Sequence, residues 1–271
     1  MEAKGLMGGL YRISEWIMRL SVINLLWIIC SLPVVLLFFF EGYILFQVTQ
    51  QQIDQFGPMY FLARPLLYAS ILVPLTLFPA TAAMFTVARK WVMGETDVAL
   101  FKTFFRGYKE NFKQSVIGGF VYTLLFIIII VDFIWFKEQL PIIAYLFIAL
   151  FILLVVSLFN YFSMMVHYHM KMFQLIKNAL LITLGKPFRS FSTAIMCGFV
   201  VYVSFFHIPF LVLFFMGSIV AAVAFWNFNL IYMKLQQQAE KMKASEVEAV
   251  EEAAEMNRED LVKGDSNKPN N

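Results

Sequence analysis

The residues best placed to do chemistry in this 271-residue chain are three histidines and two carboxylates set among apolar neighbours. His167 and His169 flank Tyr168, and residues two apart on a helix point about 200° away from one another. They cannot grip one metal together without unwinding, and His207 stands alone, so the ligand spacing of a zinc site is missing. Glu41 and Asp132 fall late in their apolar runs. At about 1.5 Å of rise per residue, Glu41 lies near the outer membrane interface. The plain reading is a pair of interfacial carboxylates at headgroup depth. A sharper one is a polar pair at the outer mouth that binds a sugar or a cation. The sequence contains no HExxH, GxSxG, P-loop or dinucleotide-binding glycine pattern. It is read as a non-enzyme, with no catalytic, metal or cofactor-binding residues.

A different constellation lies between Pro79 and Lys113. Pro79 begins a run of small residues, Ala80, Thr81, Ala82 and Ala83, that lets another helix approach closely. Arg89 and Lys90 follow, Gly94 ends the helix, and Thr96 or Asp97 is placed to cap the next one. From Asp97 to Lys113 the apolar residues Val98, Phe101, Phe104, Phe105, Tyr108 and Phe112 recur at a spacing of three to four, which is one helical stripe. Lys102, Arg106, Lys109, Glu110 and Lys113 take the other faces. Such a helix can lie in the headgroup layer with its cations against anionic lipid. It can also meet another protein, and the two uses are compatible. Two further segments share this character: 1–19, striped by Leu6, Leu10, Ile13, Ile17 and Leu20, and 167–192, striped by Phe173, Ile176, Leu180, Leu181 and Leu184.

These segments must be positioned by a membrane bundle. Hydrophobic residues make up 61% of the chain and charged residues 14%, too little polar surface to cover a soluble core of this size. The net charge of +3 does not suggest nucleic acid. Cys30 and Cys197 lie in apolar runs, which excludes a disulfide framework. Six runs approach the roughly 20 residues that cross a bilayer: 20–45, 66–88, 116–136, 141–166, 194–214 and 217–235. The last two have no polar loop between them. A turn near Phe215–Ser218 divides them; the alternative break at His207–Pro209 leaves a first half too short. With both termini inside, all but Arg64 and Lys137 of the 21 Lys and Arg residues fall on the cytoplasmic side. Pro33, Pro74, Pro79 and Pro209 are expected to kink spans. Asn24, Asn160, Asn227 and Asn229 are expected to bond between helices. The expected fold is an all-α bundle of about six transmembrane helices with amphipathic interfacial helices on the inner face. It divides into an amphipathic segment 1–19, a membrane domain 20–235, an acidic helix 236–262 and a disordered tail 263–271.

Three stretches, MGGLYRISEWIMRLSVINLLWIICSLP, FPATAAMFTVARKWVMGETDVALFKTFFRGYKENFKQS and LIKNALLITLGKP, resemble the YesL, or DUF624, family of bacterial membrane proteins. The resemblance covers about residues 5–235, while the acidic tail and the loop around Gln50–Met59 depart from the family pattern. It implies a multi-span protein of the bacterial cytoplasmic membrane, often encoded beside carbohydrate ABC transporters, and it carries over no catalytic residue. The expected role is an accessory or regulatory subunit of an oligosaccharide ABC importer. Its expected partners are the bilayer and the permease or ATPase subunits, with no nucleic acid. The alternative is a small independent transporter or channel that uses kinked spans together with Glu41 and Asp132.

Overall fold

The computed structural model describes residues 6–168 and 170–265, with side-chain environments over 8–168 and 170–248. Eleven α-helices follow one another in these residues: α1 (Leu6–Cys30), α2 (Leu32–Gln47), α3 (Gln50–Phe56), α4 (Pro58–Leu72), α5 (Phe78–Val92), α6 (Leu100–Gln139), α7 (Pro141–His167), α8 (Met172–Gly185), α9 (Pro187–Phe206), α10 (Phe210–Phe214) and α11 (Met216–Asp265). A π-helical turn, Val73–Leu77, joins α4 to α5 at Pro74. The protein is therefore all-α. Among the described residues six helical stretches are long and apolar enough to cross a membrane: Gly8–Cys30, Pro58–Val92, Leu100–Gln139, Pro141–His167, Pro187–Phe206 and Met216–Glu248. A further pair, α2 with α3, is bent by 108°.

The apolar run 20–45 is not one helix. Pro33 has no N–H to donate, so α1 stops at Cys30 and α2 restarts with the amides of Val34 and Val35 bonded to the Ser31 carbonyl. In the other direction α1 reaches back to Leu6, so most of segment 1–19 shares a helix with the first span. Residues 1–5 lie outside the described residues. The amphipathic stretch 98–113 is likewise no separate interfacial helix, because from Leu100 it is the first part of the 40-residue α6. At about 1.5 Å per residue such a helix is roughly 60 Å long, twice the hydrocarbon thickness of about 30 Å.

The run 194–235 breaks twice. Pro209 cannot continue the hydrogen-bond ladder, and the amides of His207 and Ile208 both fall back on the Val203 carbonyl. A second break at Phe215 separates α10 from α11. The break at His207–Pro209 does not shorten its first half, because α9 begins at Pro187 rather than near 194 and is 20 residues long.

The molecule clusters into two units, Met1–Phe228 and Asn229–Asn271. In the first, α5 is the central element. Of the small residues expected to pack closely, Ala80, Ala82 and Ala83 are buried and Thr81 is half-buried, and Val87 and Ala88 further along are buried too. The sequence reading overlooked the glycines opposite them. A Cβ placed on Gly107 of α6 would lie 2.5 Å from Thr86 Oγ1 and 2.7 Å from Thr86 Cβ, and one on Gly118 would lie 2.0 Å from the Tyr161 hydroxyl of α7. Gly107→Ala is thus expected to push α6 off α5 and to cost about 1–3 kcal/mol as overpacking, read as a lowered melting temperature in detergent. A melting temperature equal to the parent's would show that the contact yields freely.

Polar side chains tie the helices together. Asn160 donates to Thr183 Oγ1 of α8 at 3.0 Å, and Tyr122 and Ser157 share a 2.9 Å hydrogen bond between α6 and α7. Asn227 makes long contacts to Ser192 and Met196 of α9. Asn229 departs from expectation, since its amide meets Met233 one turn on in its own helix. In α8, Leu175, Ile176, Ala179 and Thr183 are buried, whereas Phe173, Leu181 and Leu184 of the expected stripe are exposed. The second unit is the remainder of α11, with Glu240, Lys241, Lys243, Glu246 and Glu248 exposed. Helix continues through Asp265, and residues 266–271 of the expected tail lie outside the described residues.

Candidate functional site

The best-formed candidate surface is the first part of α6, and the turn before it fixes where that surface lies. Arg89 and Lys90 end α5, and their carbonyls accept from the amides of Met93 and Glu95. Gly94 takes φ +92°, a conformation that a side chain would strain, so the chain reverses there. Lys90 pairs with Glu95, and that ammonium hydrogen bond holds the Glu95 carboxyl below its ordinary range. From α1, the buried guanidinium of Arg19 donates to the Thr96 carbonyl and pairs with Glu15. Arg19 also stacks over Trp16, 5.7 Å from the ring centre, and Trp16 meets Trp91 edge to face at 5.6 Å. Arg19, counted from sequence as one more inner cation, is a strut of this turn.

The Thr96 carbonyl also accepts from the Val98 amide at 3.1 Å, so the chain bends at Asp97 before Ala99, which is the residue that caps α6. Its side chain makes no capping bond, and neither Thr96 nor Asp97 serves as the cap. Val98 therefore falls outside the helix. The expected aromatic stripe then divides. Phe104 is fully buried beside Thr103 and Gly107, on the side packed against α5. Asn111 reinforces that side by donating to the Gly107 carbonyl at 2.9 Å. Phe101, Phe105 and Phe112 are exposed, and Tyr108 is half-buried.

At 100° per residue, Phe101, Phe105, Tyr108 and Phe112 occupy an arc of about 60°. Lys102, Arg106, Lys109 and Lys113 occupy the neighbouring arc, also about 60° wide, and all four are exposed. Only a loose contact of 3.9 Å joins Arg106 to Glu110, and exposed pairs of this kind contribute little. The result is an aromatic band beside a cationic band, braced from behind by Phe104 and Gly107. An aromatic band next to mobile cations can bind an acidic, partly apolar partner surface or anionic headgroups.

The polar residues expected at the outer face are arranged otherwise. Glu41 on α2 is buried and accepts from Arg64 Nη2 of α4 at 2.6 Å, with Arg64 5.9 Å from the Tyr60 ring centre. Asp132 is half-buried on α6. Glu41 is thus met by Arg64, and among the described residues no hydrogen bond or ion pair joins it to Asp132. A carboxylate in an apolar helix needs a cation, and Arg64 is the one the fold brings to Glu41. His167 Nδ1 accepts from Arg89 Nε at 3.4 Å and packs among Tyr168, Phe225 and Phe228. His207 lies against Tyr202, and His169 is outside the described residues. Among the described residues no group of three His, Cys, Asp or Glu is placed to hold a metal ion, and Cys30 and Cys197 are unbridged.

A family model described as "Protein of unknown function, DUF624" matches residues 20–133, which include α5, the turn after it and α6 as far as residue 133. The uncharacterized protein YteU of Bacillus subtilis (strain 168) is 31% identical over 188 residues, 68% of each chain. The chain belongs to the DUF624 family. A second DUF624-like relative, the uncharacterized protein YesL of the same strain, is 26% identical over 238 residues, 88% of this chain and 96% of its own. The uncharacterized protein YesV is 30% identical over 128 residues, 46% of this chain and 62% of its own. No solved structure matches. Membership of the DUF624 family agrees with the multi-pass membrane architecture and assigns no reaction.

Proposed function

We propose that this protein is a non-catalytic accessory or regulatory subunit of a carbohydrate ABC import system in the bacterial cytoplasmic membrane, with both termini in the cytoplasm. The observation that carries this reading is the banded face of α6. Phe101, Phe105 and Phe112 are exposed beside Lys102, Arg106, Lys109 and Lys113, while the back of the same helix is locked onto α5. Aromatic side chains on a rigid support are the usual anchors of protein interfaces, and rim cations choose the partner and speed its approach. The excess of Lys and Arg on one side of the spans supports a cytoplasmic position for this face. The resemblance to a family often encoded beside carbohydrate importers supports such an importer as the partner.

The test is purification from the native membrane in mild detergent. A carbohydrate permease or its ATPase should co-purify. Reversing Lys102, Arg106 and Lys109 together to glutamate should cut recovery of that partner by about tenfold, with the membrane level of the protein unchanged. Recovery of the protein alone, with and without the sugar, would sink the accessory reading and leave the face to lipid headgroups.

A further inference from the structure

Between α7, α8 and α9 lies an open cleft of about 420 Å³, within the range of small-molecule sites of about 300–1,000 Å³. Ile152 and Val156 of α7, Leu184 of α8, and Phe188, Phe191 and Ala194 of α9 form its walls. Two hydroxyls lie in the lining, Thr183 and Ser190, and both point inward. Ser190 Oγ donates to the Thr183 carbonyl at 2.7 Å, and Thr183 Oγ1 donates to the Ala179 carbonyl at 2.8 Å while accepting from Asn160. With both hydroxyl hydrogens committed inside the protein, the cleft offers an occupant almost nothing but hydrocarbon. A sugar or an ion entering it would give up hydrogen bonds to water without replacement. An acyl chain gives up none, and it is what surrounds three apolar helices in a bilayer.

Charge selects among lipids. Lys186 is the single residue between α8 and α9, caps the start of α9, and is followed directly by Pro187 of the cleft wall. Its backbone is engaged on both sides, its amide donating to Ile182 and its carbonyl accepting from Arg189 and Ser190. Its main chain is thereby fixed beside the cleft wall, within a side-chain length of which its ammonium must lie. The start of the 20-residue α9 adds the positive end of a helix dipole at the same point. Leu184, Phe188 and Phe191 are strongly exposed along the walls.

We propose that this cleft holds one anionic phospholipid, an acyl chain lying along Val156, Phe188 and Ala194 and the phosphate at Lys186. The site is separate from the α6 face and stands whether or not that face binds a transporter.

Native mass spectrometry of the full chain in mild detergent tests this with phosphatidylglycerol and phosphatidylcholine of identical acyl chains, and with glycerol phosphate as a headgroup lacking chains. One phosphatidylglycerol should be retained about fivefold over phosphatidylcholine, the preference expected of one lysine at an anionic headgroup. Lys186→Gln should bring the two lipids to near parity, and Ala194→Trp, which fills the cleft, should release both. If Ala194→Trp does not accumulate, a tryptophan introduced by Phe191→Trp should be quenched more by brominated phosphatidylglycerol than by brominated phosphatidylcholine. Equal retention of the two lipids by the parent chain would overturn the proposal. So would an undiminished preference in Lys186→Gln, lipid retention unchanged by Ala194→Trp, or glycerol phosphate binding as well as the intact lipid.

Discussion

Asn24→Leu is expected to lower stability by about 2–4 kcal/mol, from four buried hydrogen bonds of about 0.5–1 kcal/mol each between membrane helices. The side chain is fully buried and serves the break between α10 and α11 from both ends. Its amide nitrogen donates to the Leu213 carbonyl at 2.7 Å and to that of Val212 at 3.1 Å. Its oxygen accepts from the amides of Gly217 at 2.8 Å and Ser218 at 3.2 Å. These are the orphan groups that every helix end leaves, and here they are shielded from water. Leucine would match the volume but leave them unpaired. For a chain of this size the loss corresponds to a melting temperature lower by roughly 5–15 °C in detergent. Asn24→Asp should be as damaging, because a second oxygen would face two carbonyls. Asn227→Leu is the contrast: its longest-range contacts are to Met196 Sδ at 3.7 Å and Ser192 at 3.5 Å, so its cost should be small. Similar melting temperatures for Asn24→Leu and the parent would mean that the break satisfies itself.

That clamp also marks where sequence reading stops. Apolar length made the membrane class and the all-α fold legible, because about 20 apolar residues have few other uses. Alanines at 80, 82 and 83 were legible as a packing face for the same kind of local reason. Asn24 could be assigned to interhelical bonding, yet its partners lie about 190 residues away, and no periodicity reports on such pairs. Gly107 looked like an ordinary helix residue until Thr86 was found against it. The boundary errors have local causes. Pro33 was read as a kink, but a proline two residues after Ser31 ended one helix and began another. The amphipathic 98–113 stretch was separated from the following span by its charge, although charge does not interrupt a helix and nothing between Lys113 and Val116 breaks one. For the candidate surface, spacing identified the band of aromatics. It could not reveal that Phe104 turns inward while Phe101 and Phe105 stay outside, since this depends on which arc α5 covers.

Removing one side of the Glu41–Arg64 pair should be at least as costly as breaking the Asn24 clamp. Arg64→Leu leaves the buried Glu41 carboxylate without its counter-charge, and Glu41→Leu leaves a half-buried guanidinium without its own. Breaking a buried pair in this way costs about 3–5 kcal/mol. The 2.6 Å bond joins α2 to α4, so each single change should also loosen α2. Glu41→Leu combined with Arg64→Leu should recover most of the loss, because two apolar side chains remove the stranded charge along with the bond. A double-mutant cycle on melting temperatures reads this directly. The same cycle separates a structural pair from a transport site. If Glu41 serves folding, Glu41→Gln should lower stability and Asp132→Asn, half-buried on α6, should not. A role in solute passage predicts the opposite pattern: loss of uptake by either change, in cells lacking the ABC permease, with melting temperatures unmoved. Stability falling with Glu41→Gln while uptake follows only the amount of folded protein would leave Glu41 as the brace between α2 and α4.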